Sequence, residues 1–149
     1  MGIDSRLHGE WAIDALPAEH IVMIKGKGGW NLETALAYSR DFKLASKDVI
    51  ADPWVCIGYG VDWELGVPET EPVLHDLYEW MVANGCLKQI TIILNPISKM
   101  QLTKYVEVKS PNYSVELVSS VEEVMNSLGQ LGFEQPEGQF DRFIKKPYA

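Results

Sequence analysis

Four carboxylates crowd the stretch "GYGVDWELGVPETE", residues 58–71: Asp62, Glu64, Glu69 and Glu71. Acids so grouped can exchange protons in general acid–base catalysis, ligate a hard cation, or sit solvated at the positive end of a helix dipole. A cation would require its oxygens to converge within about 2.5 Å of one point, and Asp-x-Glu spacing alone does not bring that about. The simplest reading is a solvated helix start. The functional reading is a binding face with Trp63 as its aromatic anchor. Gly60, Asp62, Trp63, Glu64, Glu69, Thr70 and Glu71 would then form the site, with Trp80 further along the following helix.

A second candidate is "KGKGGWN", residues 25–31. Backbone N–H groups in such a loop can cradle phosphate at a helix start. The G-x-x-x-x-G-K-[ST] spacing is missing, and Asn31 breaks a G-x-G-x-x-G reading. A plain glycine turn explains the stretch, although Lys25 and Lys27 leave anion binding open. His8, His20 and His75 are scattered, and none pairs with a Ser or Cys as a nucleophile and its base would. Cys56 and Cys86 stand thirty residues apart without a C-x-x-C, so they read as small buried hydrophobes. No catalytic residue, metal or cofactor is expected, and the chain is not read as an enzyme.

The acids continue a global bias. The 149 residues carry a net charge of −8 and are 46% apolar, with a pI near 4.8. That composition suits one globular domain and argues against non-specific binding to nucleic acid or anionic lipid. No apolar run approaches the roughly 20 residues of a membrane span. The start, "MGIDSRLHGEW", lacks a signal-peptide core, and Arg6 stands where a myristoylation pattern wants Ser or Thr. A cytoplasmic location is expected.

These residues must be held by secondary structure that the pattern also predicts. "EWAID" and "EHIVMIK" are two strands close enough to form an antiparallel hairpin. Asn31 caps a helix with Leu32, Ala35, Leu36, Ser39 and Phe42 on one stripe. Residues 54–60 form a buried strand whose Gly58 and Gly60 let the chain turn and approach the next helix, with Asp62 bracing the turn. Pro68 or Pro72 opens a helix whose face is Val73, Leu77, Trp80 and Met81, ending at Gly85. "QITIILN" is a strand covered on both sides, and Asn95-Pro96 starts a helix over about residues 96–106. "YSVELV" is a strand, and a Ser120–Glu123 capping box opens a helix striped by Val121, Val124, Met125, Leu128 and Leu131. The order β-β-α-β-α-β-α-β-α gives a single-domain α/β fold. Its mixed, mostly parallel sheet carries an N-terminal antiparallel hairpin. Pattern alone leaves open whether the helices cover one face or both.

With "WVCIGYGVDWELGVPETEPVLHDLYEWM" at its centre, with Gly26 after the second strand and with an apolar strand before "ANGCLKQITIILN", this order resembles the STAS domain. That family includes anti-sigma-factor antagonists and the cytoplasmic domains of sulfate transporters. The resemblance spans about residues 8–132, so 1–132 is read as a STAS-like domain and 133–149 as a C-terminal extension. It implies a regulatory or interaction module that binds a protein partner or itself. Regulatory members carry Asp-Ser-Ser-Gly at the start of this helix, where a partner kinase phosphorylates a serine. Here the equivalent residues are Leu65-Gly66-Val67-Pro68-Glu69, without serine. Thr70, between Glu69 and Glu71, reads as a helix cap, and the switch is not carried over.

Two expectations remain open. Trp54, Tyr59, Trp63, Tyr78 and Trp80 read first as core filler. Alternatively, Trp63, Trp80 and Met81 line a pocket for a small apolar ligand or lipid, since STAS-like folds are similar in topology to the Sec14 lipid-binding domain. The tail "FDRFIKKPYA" places Phe140, Phe143 and Ile144 on one helical turn. They must be buried on the parent domain or in a homodimer.

Overall fold

A computed structural model describes residues 7–64, 66–106 and 108–148. The N-terminal Met1-Gly2 and Arg6, and Leu65 of the acidic loop, lie outside the described residues. The sheet has five strands in sequential order: β1 (Glu10–Leu16), β2 (Ile21–Lys27), β3 (Trp54–Tyr59), β4 (Cys86–Ile92) and β5 (Ser114–Val118). β1 pairs antiparallel with β2, and every later pair is parallel. His20 does not open β2. It takes a left-handed φ of 59° and closes the hairpin turn, its N–H donating to the Pro17 carbonyl.

Between the parallel strands run α1 (Leu32–Ala45), α2 (Thr70–Ala83) and α3 (Pro96–Tyr105). α4 (Val121–Gln130) and α5 (Glu137–Lys145) follow β5. Crossovers of one hand between strands laid down in order must all return over the same face. Accordingly, Ala35, Tyr38 and Phe42 of α1, Leu77 and Met81 of α2 and Tyr105 of α3 share one core with Val22, Trp54 and Cys56. The opposite face, with Ile21, Met23, Val55, Ile57 and Ile90, is covered by Val124 and Leu128 of α4 and by Phe140 and Phe143 of α5. Helices therefore lie on both faces. The tail's aromatic turn is buried on the parent sheet.

Three expected caps form, whereas Thr70, read as a cap, is the first residue of α2 and its hydroxyl caps no N–H. Asn31 Oδ1 accepts from Thr34 N at 3.0 Å, and Asn95 Oδ1 accepts from Ile97 N at 2.8 Å. Ser120 Oγ accepts from Glu123 N at 3.2 Å. The helix stripes turn slightly from the expected ones. Tyr38 of α1 is buried while Leu36 is exposed, and α2 buries Leu74, Leu77, Tyr78 and Met81 rather than Val73 and Trp80. Leu131, expected on the α4 stripe, is exposed just beyond the helix. α2 begins at Thr70, with Glu69 in the cap position and Pro72 inside its first turn.

Candidate functional site

The expected site residues other than Trp80 gather at the carboxyl ends of β2, β3 and β4, the edge of an open α/β sheet where ligands characteristically bind. Two loops knit together there. Gly28 N donates to the Asp62 carbonyl at 3.0 Å, and Glu64 N donates to the Gly28 carbonyl at 3.1 Å. Gly28 reaches this bridge at φ 75°, a conformation that glycine tolerates and other residues resist. The "KGKGG" backbone thus spends the Gly28 N–H on its neighbour loop and does not hold it out as a phosphate cradle.

Lys25 departs further from the anion reading. It is 3% exposed, and its ammonium lies on the sheet face covered by α5. There it donates to the carbonyl of Lys146, and to that of Ile144 at 3.4 Å. The Tyr148 ring centroid is 4.3 Å from Nζ and that of Phe143 5.4 Å. A cation at the last turn of a helix satisfies free carbonyls and the negative end of the dipole. Burial, then repulsion from Lys146, holds its pKa below the usual lysine value. This contact joins residues 121 positions apart, and neither the glycines nor the lysine type signalled it.

Trp63 is not an exposed anchor. It is 9% exposed, edge-on to Trp30 at 6.3 Å and to Tyr105 at 6.1 Å between ring centroids. Thr70 is fully buried. Its Oγ1 donates to the Val67 carbonyl at 2.7 Å and lies 3.3 Å from the Tyr105 hydroxyl, so it braces the loop internally. Burial pushes the Tyr105 phenol above its ordinary value, partly opposed by the Thr70 contact. Asp62, Glu64, Glu69 and Glu71 are exposed. Asp62 braces the turn through its backbone carbonyl. Among the described residues no three His, Cys, Asp or Glu side chains are grouped as metal ligands would be.

Trp80 and Met81 are separated from this loop. Ten residues into α2 corresponds to about 15 Å along the axis. Trp80 packs edge-on against Phe42 at 6.4 Å with Lys43 over its face, and Met81 belongs to the central core.

Gly58 lies within β3 and does not turn the chain, whereas Gly60 opens the turn that follows, its carbonyl accepting from Trp63 N at 3.3 Å. Gly58 lies between Ile24 and Thr91 in the cross-strand register. A Cβ there would meet Ile24 Cγ1 at 3.0 Å and Thr91 Oγ1 at 3.2 Å. With Gly26 and Gly60 it forms the floor of a cavity of about 60 Å³, walled by Trp30, Tyr38, Trp63, Leu74, Tyr78 and Leu102. Drug-sized sites occupy roughly 300–1,000 Å³. This cavity has no room for a lipid chain.

On the outside of the same edge, α3 is tied to the loop. Gln101 Nε2 donates to the Gly66 carbonyl at 3.0 Å, and Ser98 Oγ to the Trp63 carbonyl at 3.5 Å. A groove runs between them, lined by Lys27, Asp62, Glu64, Asn95 and Ile97 among others. Leu94, Ile97 and Met100 are 52%, 57% and 63% exposed, and Val67 on the loop is exposed too. Ile97 and Met100, three positions apart, share one helix face. This apolar surface on α3 was missed from sequence because Asn95-Pro96 identifies a helix start without telling which of its residues lack a cover.

Comparison with family models, with curated proteins and with solved structures gave no match. What the fold and site define is a single α/β domain with a five-stranded mixed sheet. Among the described residues no helix is long and apolar enough to cross a membrane.

Proposed function

We propose that this chain is a non-enzymatic STAS-like regulatory or interaction module that takes a protein partner on the face formed by residues 61–71 and the start of α3. One observation carries the reading: Ile97 and Met100 are exposed on α3, which is hydrogen-bonded to the acidic loop, and Leu94 is exposed just before that helix. Large apolar side chains grouped on a surface and rimmed by charge are the usual composition of a recognition patch. The sequential strand order with an antiparallel first strand accords with the STAS resemblance. A buried Thr70, with no serine at the helix start, supports recognition without a phosphate switch at this loop.

The test is site-specific photo-crosslinking in the native cells, with the reactive residue at position 97 or 100 and a control at Leu131. We expect a discrete crosslinked species from 97 and 100, absent from 131 and lost when the other apolar position is changed to Asp. Equal labelling at all three positions, or none at 97 and 100, would refute the reading.

A further inference from the structure

β5 closes the sheet on one side, and its outer edge is open. In a strand the N–H and C=O of one residue point to the same side, and those of the next residue point to the other. The Val118 carbonyl accepts from Ile93 N at 3.1 Å, so Val118 faces β4, as do Glu116 and Ser114 by alternation. Val115 and Leu117 then direct their N–H and C=O groups away from the sheet. Among the described residues none bonds to them on that side. Free main-chain groups in such a row are a template for another strand.

The side chains of β5 divide by face. Val115 and Leu117 pack against the core on the α3 side, and with Val106, Val108 and Tyr113 they line an open groove there. Glu116 turns to the α4 side, where its side chain is 40% exposed. Lys88 and Ser127 both bond its Oε1, which leaves Oε2 to accept from a further donor. Two kinds of strand could extend this edge. A second copy, related by a two-fold axis and overlapping all five residues, would set Glu116 directly across from its own counterpart, and like charges so placed repel. Each copy also carries a net charge of −8, which adds to the repulsion. The edge is instead complementary to a strand that is apolar where it meets Val115 and Leu117 and basic where it meets Glu116.

We propose that the outer edge of β5 takes an extended segment of a partner protein as a sixth strand, with apolar residues across from Val115 and Leu117 and a lysine or arginine across from Glu116. Main-chain bonds at 115 and 117 hold the segment, the groove receives its apolar side chains, and Glu116 selects its charge. This surface lies toward the last turn of α3, away from Ile97 in the first, and the proposal does not rest on the reading above.

The probe is the peptide acetyl-Thr-Val-Lys-Val-Thr-amide, titrated into the full chain and followed by NMR at the backbone amides of residues 114–118. We expect saturable shifts and slowed hydrogen exchange at the Val115 and Leu117 N–H groups. Binding should weaken about fivefold when glutamate replaces the peptide's lysine, the size of one cross-strand charge pair. It should be lost when the peptide's two valines are N-methylated, since their N–H groups face the edge. Val115→Pro removes an outward N–H without breaking a ladder bond, a change that edge strands tolerate, and should abolish the response; the methylated peptide keeps the test should that variant not fold. No saturable response at 115 and 117, equal affinity for the two charge forms, or undiminished binding of the methylated peptide would each overturn the proposal. So would protection of the two N–H groups that grows with protein concentration in the absence of peptide, the mark of a second copy on the edge.

Discussion

Phe140 is the sharpest place to perturb this fold, because it decides what the C-terminal seventeen residues are. Its side chain is fully buried with Phe143 against Ile21, Met23, Val55 and Ile57, on the face that α4 shares. Phe140→Ala removes the ring and leaves a cavity that a sheet cannot collapse to fill. Such changes cost about 3–5 kcal/mol. A chain of this length has a total stability of about 7–22 kcal/mol, at 0.05–0.15 kcal/mol per residue. The variant should therefore fold and be clearly weakened. At an m-value of about 2 kcal/mol/M the urea midpoint should fall by about 1.5–2.5 M. The measurement is equilibrium urea unfolding followed by tryptophan fluorescence, repeated over a hundredfold range of protein concentration. Because the contact is within one chain, the loss should not vary with concentration. A midpoint shift under about 0.5 M would mean that α5 is not packed on the sheet. A loss that grows on dilution would mean that Phe140 is buried against a second subunit.

Thr70→Val should cost about 1–2 kcal/mol by thermal or chemical unfolding, since the buried hydroxyl donates to Val67 and meets Tyr105; intact-mass analysis of native protein should find no phosphate on Thr70. Glu116 accepts from Lys88 at 2.8 Å and from Ser127, and these bonds hold its carboxyl below the usual value. Its contribution is thus present at neutral pH and lost as pH falls below the unfolded value, near 4.3 for a free glutamate, through the lower folded one. The stability gap between wild type and Glu116→Gln, measured from pH 7 to 3, should narrow over that interval, and a constant gap would refute the assignment. Burial raises both thiols, Cys86 to about 12. A disulfide reagent at pH 8 should accordingly label neither cysteine in the native state and both in denaturant, and rapid native labelling would contradict their burial.

Much of the architecture is local in origin and was legible in the residues. Asn31, Asn95 and Ser120 each supply a short side-chain acceptor to the free N–H groups of the turn that follows, a contact within three residues that needs no tertiary context. Continuous β-branched runs and their alternation with helix-period segments similarly dictated five strands and a mostly parallel sheet. What required the folded chain were contacts over long separations. Whether Phe140 would meet its own sheet depended on which face α1, α2 and α3 left uncovered, and sequential strand order with one crossover hand decided that. Beside its glycines Lys25 left anion binding open, but strand alternation turned it to the α5 face, where carbonyls of the last helical turn received it. Trp63 read first as core and alternatively as an anchor, because an indole suits both. The bridge from Gly28 to the 61–64 loop drew it inward against Trp30 and left Ile97 and Met100 outside. Residue type and period fix what each segment prefers, whereas the partner of a buried group is chosen only when distant segments compete for the same space.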